Sequence, residues 1–428
     1  DFSYSQSRKI PTAVAYIQKI IGPIKEICIV WAVIRANIAE RIQMKFLHLG
    51  DLHLGKSLNE FDLEADQEFI LNQVVEIIKK EKVNGVLIAG DVYDRAVPSE
   101  SATNLLDTFL SNLKSIGVDV FMISGNHDSD DRLNYGSKIF ADNHIYISSV
   151  FNGSLYKKTV TDEYGDVDVY LLPFVKASQV RHFYPDETIE SYEDAVRVII
   201  KNANVDTKRR NVIVAHQFVI GKESDPVLGG SESPAVTSVG LVEKISYTCF
   251  DDFDYVALGH IHSAQEIGRK TVRYSGSPLK YSLSEVNHNK SVPVIELSDK
   301  GDINVTLVDL KPMRDFRHLK GKLKDIANSK NVEDPEDFIY VTLTDEEVVS
   351  DAITIIQQFY RNTLKVNYEN SHTLESDNDD FISVTENKSY EELVREFYAM
   401  MFGRDITDEE MEVMMDAGRE AGVTDEAN

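Results

Sequence analysis

Five short fragments of this 428-residue chain carry side chains that can hold metal ions and pass protons. They are Gly50-Asp51-Leu52-His53, Gly90-Asp91-Val92-Tyr93-Asp94, Gly125-Asn126-His127-Asp128, Ala215-His216-Gln217 and Gly259-His260-Ile261-His262. Carboxylate, carboxamide and imidazole are oxygen and nitrogen donors suited to Mn, Fe or Zn in five- or six-coordinate sites, and no thiolate stands among them. Asp51, His53, Asp91, Asn126, His216, His260 and His262 are too many for one ion. They suit two ions about 3.5–4 Å apart that share a bridging carboxylate. Glycine heads four of the five fragments, which permits a sharp turn and removes bulk where a phosphate would approach. No fragment is diagnostic alone. A D-x-H pair occurs in caps and surface turns, GNHD suits a tight turn, and strand histidines are often hydrogen-bonded core residues. His48 falls inside a strand, and His144, His182, His288, His318 and His372 lie in no such fragment.

Groups so far apart in sequence act together only if a fold gathers them, and each fragment follows an apolar run and opens a loop. From Met44 the chain alternates. FLHLG, VNGVLIAGD (83–91) and VDVFMISGN (118–126) read as strands. Residues 64–82 place Phe69, Ile70, Val74, Ile77 and Ile78 at helical spacing, and Ser99 can cap a helix running to about Ile116. This β-α-β-α-β order predicts parallel strands with helices packed on the sheet. Residues 150–174 read as short strands with turns at Asn152-Gly153 and Tyr164-Gly165-Asp166. NVIVAHQFV (211–219) and DYVALGHIH (254–262) are apolar strands with histidine at or near the end, and KTVRYSGSP, SVPVIELSD and DINVTLVDL continue as strands to about 310. The expectation is one α/β sandwich of two sheets over 44–310. Its five fragments would meet at the carboxyl ends of neighbouring strands, where open α/β sheets bind ligands.

Smaller units surround it. Residues 311–370 read as helix (FRHLKGKLKDIA), strand (DFIYVTLTD), helix (VVSDAITIIQQFY) and strand (LKVNYE), a small α/β capping domain. Residues 371–383 read as an acidic linker and 384–428 as two helices. Their capping boxes pair Ser389 with Glu392 and Thr407 with Glu410. Leu393, Phe397, Met400 and Met401, then Met411, Met414 and Met415, form their apolar stripes. Residues 1–43 read as an N-terminal extension of unknown role, with a surface amphipathic helix as the structural alternative. Its apolar run ICIVWAVI (27–34) is too short for a membrane span.

The net charge of −26 is uneven: residues 331–428 hold 26 acidic against 6 basic residues, a net of −20. That argues against a generic basic nucleic-acid binder. It does not exclude a nuclease whose bound metals bring their own positive charge. Two cysteines, Cys28 and Cys249, make neither a disulfide framework nor a zinc site, so the expected compartment is the cytoplasm.

The ordered set D-x-H, GD-x-x-D, GNHD, H and GHIH resembles the calcineurin-like metallophosphoesterases. More narrowly, LHLGDLHLGK, AGDVYDR, ISGNHDS, AHQFV, ALGHIH and YSGSP resemble the SbcD nuclease subunits, over essentially all of Met44–Asn428. Protein serine/threonine phosphatases of the superfamily carry GNHE and DRG patterns, from which Asp128 and Ala96 depart. The resemblance implies that Asp51, His53 and His262 hold one metal and that Asn126, His216 and His260 hold the other, with Asp91 bridging. It makes His127 the acid-base residue and Asp128 the carboxylate that orients its ring. Asp94 either contacts a metal ligand, pairs with Arg95 or structures the loop. Lys56, Lys176, Arg181, Lys270 and Lys280 read as phosphate contacts or as solvated surface.

The implied activity is two-metal, most simply Mn2+-dependent, hydrolysis of DNA phosphodiesters in repair and recombination, exonucleolytic at duplex ends and endonucleolytic on hairpins or single strands. The implied partner is an SbcC-type coiled-coil ATPase docked on the C-terminal helices, with the chain as a homodimer in a heterotetramer. No Walker A motif occurs here, so ATP use falls to that partner. The alternatives are a stand-alone metallophosphoesterase acting on small phosphoesters or nucleotides, and a scaffold with a decayed site. The intact donor set argues against the last.

Overall fold

The computed structural model describes residues 43–222, 225–228 and 244–369, and, further on, 391, 394, 395, 398, 404 and 406–420. The expectations for residues 1–42, the 371–383 linker, the Ser389–Glu392 cap and the stripe Leu393, Phe397, Met400 and Met401 lie outside the described residues. The chain forms two compact units. One takes the described residues to His318 together with Glu336–Phe338; the other takes Leu319–Pro335 and the described residues from Ile339 onward.

In the first unit, β1 (Met44–Leu49) leads to α1 (Glu64–Glu81), β2 (Gly85–Ala89), α2 (Glu100–Ile116), β3 (Asp119–Ile123) and β4 (Ile145–Ser148). A hairpin of β5 (Tyr156–Asp162) and β6 (Gly165–Leu172) follows, then α3 (Tyr192–Ala203), β7 (Arg210–His216), β8 (Tyr255–Gly259), β9 (Gln265–Ile267) and β10 (Arg269–Tyr274). β11 (Ser291–Leu297) and β12 (Ile303–Asp309) complete it. The first sheet has the order β12-β11-β1-β2-β3-β4, the second β9-β10-β8-β7-β6-β5. β1 to β4 run parallel, as do β6, β7, β8 and β10, while β11, β12, β9 and β5 close the edges antiparallel.

The strands β1 to β4, β6 to β8 and β11 are buried almost throughout because both sheet faces are covered there, which suits their apolar runs, whereas the edge strands β5 and β12 are half-exposed. Phe46, Leu87, Ala89, Phe121 and Ile123 pack against Val167, Val169, Leu171, Val212, Val214 and Ala257 to form the core between the sheets. The second sheet turns Ile213, Ala215, Val256 and Leu258 to Ala195, Val196 and Ile199 of α3. Helix signals act as expected at α2, where Ser99 Oγ accepts the Ala102 N–H at 3.1 Å and Gly117 closes the helix at φ 82°. In α1, Ile70, Val74, Ile77 and Ile78 are buried, but Phe69 is 41% exposed. Asp66 and Gln67 are buried in the first turn instead.

The second unit is built on a three-stranded sheet, β13 (Phe316–Gly321), β14 (Phe338–Leu343) and β15 (Asn362–Tyr368), with α4 (Ala352–Gln357) before the last strand. Ile339, Val341, Leu343, Ala352, Ile356 and Tyr360 form its core. FRHLKGKLKDIA is not the expected helix: its first half is β13 and only Leu323–Ile326 is helical. Sheet pairing overrides local helix propensity there. The next helix is also shorter than expected, beginning only after Asp351 at φ 57°. Near the C-terminus α5 (Asp408–Glu420) starts at the expected box: Thr407 N–H donates to Glu410 Oε2 at 3.0 Å and Glu410 N–H to Thr407 Oγ1 at 3.3 Å. Met411 is buried with Val394 and Ile406, and Met414 and Met415 pack against them, so this stripe partly closes on its own unit. Among the described residues no helix is long and apolar enough to cross a membrane.

Candidate metal centre

The five fragments meet, but the strands that carry them are not five neighbours: they come from both sheets. The loops after β1, β2 and β3 come from the first sheet, and those after β7 and β8 from the second. The β1 and β2 loops are joined by backbone bonds: Asp51 N–H to Gly90 O at 3.1 Å, His53 N–H to Asp91 O at 2.9 Å and Leu54 N–H to Val92 O at 2.9 Å. These bonds help hold Asp51 and His53 at φ 54° and 45° and Asp91 at 47°; His260 stands at 100°. Left-handed backbone at a non-glycine residue costs on the order of 1–3 kcal/mol. Gly125 and Gly259 are needed for close approach. A Cβ on Gly259 would stand 1.9 Å from Ala89 O, and one on Gly125 2.2 Å from Asp91 Oδ1. The room expected for phosphate at these two glycines is room for strand ends to meet.

Asp51, His53 and His262 bring one donor atom each within 4.8 Å of one another. His53 Nε2 and His262 Nε2 are 3.1 Å apart. Their Nδ1 atoms face carboxylates, Asp94 Oδ1 at 3.5 Å and Glu285 Oε1 at 3.6 Å. With both Nδ1 atoms protonated toward these carboxylates, the two Nε2 lone pairs would face each other, an arrangement a cation between them would relieve. Asp51 Oδ2 is buried beside them without a hydrogen-bond partner. Across Asp91, His216 Nε2 and His260 Nδ1 converge on Asn126 Oδ1 at 3.0 and 2.9 Å. Asp91 Oδ2 is 3.3 Å from His216 Nε2 and 3.7 Å from His53 Nε2, between the two groups. The seven residues therefore fit two divalent ions in residue type and spacing, with Asp51 Oδ2 left without another partner.

The electrostatics of the metal-free centre hold some ligands ready and leave His216 protonated, so that a bound ion would displace its proton. Burial lowers His53 to about 4 and His260 to about 3, keeping both neutral and ready to ligate. Burial raises Asp51 to about 6. Burial also works against ionised Asp91, but His216 beside it holds the carboxylate well below its ordinary range. The same pairing overcomes burial at His216 and raises it to about 9.

His127 is half-buried at the rim. Its peptide N–H donates to Asp91 Oδ1 at 2.9 Å, and its Nδ1 lies 3.0 Å from Asp94 O. Its ring stands edge-on to His53, centroids 4.9 Å apart. Asp128 does not face that ring. Its carboxylate accepts the N–H groups of Val92 at 3.1 Å, Tyr93 at 2.9 Å and Gly125 at 2.9 Å, tying the β2 and β3 loops together. Satisfying buried backbone donors takes up both oxygens. Asp94 faces His53 and also pairs with Lys56 Nζ at 2.8 Å. Lys280 donates to Val286 O at 2.8 Å and pairs with Asp315, while Lys176, Arg181 and Lys270 are exposed.

Three supporting residues escaped sequence reasoning. Gln67 in α1 donates to Leu52 O and His53 O and accepts the Gly55 N–H, bracing the first loop. Tyr281 packs on the rings of His53 and His262 and donates to Leu52 O at 2.6 Å. Glu285 sits behind His262. The only signal for Gln67 was a polar residue on the buried side of a helix, and Tyr281 and Glu285 lie in a loop without periodicity.

Comparison with known proteins identifies the family. The calcineurin-like phosphoesterase family matches residues 44–264. The family described as type 5 capsule protein repressor C-terminal domain, SbcD_C, matches residues 312–402. A Staphylococcus epidermidis protein (strain ATCC 12228 / FDA PCI 1200) described as the SbcD component of nuclease SbcCD is 34% identical over 327 residues, 75% of this chain and 84% of that one. Two solved structures also align. A dimetal phosphatase from Danio rerio is 13% identical with a TM-score of 0.33, covering 63% of this chain and 99% of its own. A Thermus thermophilus protein is 11% identical with a TM-score of 0.36, covering 62% and 99%. The chain belongs to the calcineurin-like phosphoesterases, divalent-metal hydrolases, and within them to the SbcD family.

Proposed function

We propose that this chain is the nuclease subunit of a two-component DNA-processing complex, hydrolysing DNA phosphodiesters with two Mn2+ ions. The observation that carries the reading is the meeting of Asp51, His53 and His262 on one side of Asp91 with Asn126, His216 and His260 on the other, beside His127. Support also comes from the 34% identity to a protein described as part of a nuclease. Ions in this centre supply Lewis-acid polarisation of the phosphoryl group and acidify water. The chain's own residues do the rest. Asp91 fixes the His127 backbone, and the Asp94 carbonyl accepts the His127 Nδ1–H. With the ring as imidazolium, Nε2–H is left to give its proton to the leaving 3′-oxygen, and solvent returns a proton to Nε2 for the next turnover. Asp128 holds the loops that carry Asp91 and His127.

DNA binding is sequence-independent, through backbone contacts at the centre, with Lys56, paired with Asp94 beside His53, as a basic residue there. Cleavage proceeds 3′–5′ from duplex ends and internally at hairpins or single strands, in repair and recombination in the cytoplasm. Residues 44–310 serve as the nuclease domain and residues 311–370 as a capping domain that helps select strand or duplex geometry. Residues 384–428, beyond the 371–383 linker, dock an SbcC-type coiled-coil ATPase, and two such pairs form a heterotetramer. The test compares linear duplex DNA with bis-p-nitrophenyl phosphate, with Mn2+, the ATPase partner and ATP, using His127→Ala as control. Mn2+-dependent, ATP-stimulated DNA cleavage lost in His127→Ala is expected. Strong turnover of the small ester with no DNA cleavage would assign a stand-alone phosphoesterase instead.

A further inference from the structure

We infer that Glu285 is a positioning residue for His262, and that Glu285 and Asp94 together make the Asp51/His53/His262 group the tighter of the two metal sites. The inference rests on the two-metal reading and ranks its halves. It starts from what stands behind each imidazole. His53 and His262 turn Nδ1 to carboxylates, Asp94 at 3.5 Å and Glu285 at 3.6 Å. On the other side, His216 Nδ1 lies 2.7 Å from the Ala89 carbonyl. His260 presents Nδ1 itself to Asn126. A carboxylate behind an imidazole fixes its tautomer and makes the ligating nitrogen more electron-rich; a neutral carbonyl fixes the tautomer with less effect on charge.

The ligands differ in the same direction. Asp91 lies between the groups; Asp51 gathers with His53 and His262, and one of its oxygens also comes within 4.8 Å of donor atoms of Asp91 and His216, while the further oxygen on the second side is the neutral carboxamide of Asn126. A dication at the first group would therefore have the carboxylates of Asp94 and Glu285 behind its imidazoles, where the second side offers His216 only the neutral Ala89 carbonyl.

The frame around Glu285 is built to hold this geometry. Glu285 is fully buried. Lys290 Nζ pairs with Glu285 Oε2 and donates to His262 O at 3.1 Å and Ser277 Oγ at 2.8 Å. One ammonium thus ties the backbone of His262 to the carboxylate that faces its ring. Asp94 is held in the same way by Lys56 at 2.8 Å. Each lysine partly offsets its carboxylate's charge, so the difference between the sites is a matter of degree, not of occupancy.

The experiment is calorimetric titration of the metal-free full chain with Mn2+, alongside electron paramagnetic resonance of bound Mn2+. Wild type takes up two ions in two resolved steps. Glu285→Gln keeps the shape, weakens the tighter step by about 10–100-fold and leaves the weaker step in place. Asp94→Asn weakens the same step, and serves alone if Glu285→Gln does not fold. A merely structural role for Glu285 would lower both steps or neither. Uptake of fewer than two ions by wild type overturns the two-metal reading and the ranking with it. Two ions in wild type, with the tighter step unchanged in both variants or the weaker step selectively lost, overturns the ranking alone.

Discussion

Asp128 acts through the backbone. Its carboxylate collects three peptide N–H groups from two loops, so its removal strands buried donors instead of releasing an imidazole. Asp128→Ala is expected to lose about 3 kcal/mol of stability, seen as an earlier urea midpoint. The pKa values of the pH–rate profile should stay where they are in the active fraction. A displaced profile at unchanged stability would return Asp128 to the ring of His127. His127→Ala should do the reverse, keeping metal uptake and fold while turnover falls by about 10²–10⁴-fold. His48, inside β1 and 3.1 Å from the Tyr255 hydroxyl, has a different consequence. Burial lowers it to about 3. Below about pH 6.5 the unfolded chain takes up a proton that the folded chain refuses, so stability falls with pH down to about 3, by up to about 1.4 kcal/mol per unit. Urea midpoints of metal-free His48→Gln between pH 6 and 4 should fall less steeply than those of wild type; parallel slopes would assign the acid sensitivity elsewhere. The types and order of the seven donor residues were legible in the sequence because ligand chemistry restricts them. The orientation of Asp128 was not, because a carboxylate next to a histidine in sequence can point anywhere its backbone turns it.

At the scale of elements, the strands that carry the centre were readable from their apolar runs, and the helices from their caps. Which sheet each strand joined was not readable, since β7 and β8 are short, apolar and buried just as β2 and β3 are. Nor was β13, where Leu319 and Lys320 suit a helix equally well and pairing alone decides. The glycine before His260 was readable as a turn residue, yet its main task is to let the second sheet touch Ala89 of the first. Gly259→Ala sets a side chain against a carbonyl in the backbone of the opposite sheet. Its expected cost is about 4 kcal/mol or more, with loss of metal uptake in any protein that folds. A variant of wild-type midpoint and stoichiometry would show that the sheets can part locally at no cost.

For the whole molecule, metal and fold are linked. Two ions, each at about 100 times its dissociation constant, would add about 5 kcal/mol to the folded state. Chelation is therefore expected to lower the melting temperature by roughly 10 °C; an unmoved transition would mean the centre is rigid and stable without ions. Deleting residues 384–428 should abolish association with the ATPase partner while leaving ion stoichiometry at two. Undiminished association would place the docking surface elsewhere.

Each ion would be gripped from both halves of the sandwich: His262 opposes Asp51 and His53 at one position, and His216 and His260 oppose Asn126 at the other. The ions then behave as rivets through two plates, restraining the breathing of the layers at the end farthest from the hairpin turn at Gly165. Amide protons of Val212–Val214 and Val256–Leu258 should exchange with deuterium more slowly once manganese is loaded, although none of these residues touches an ion.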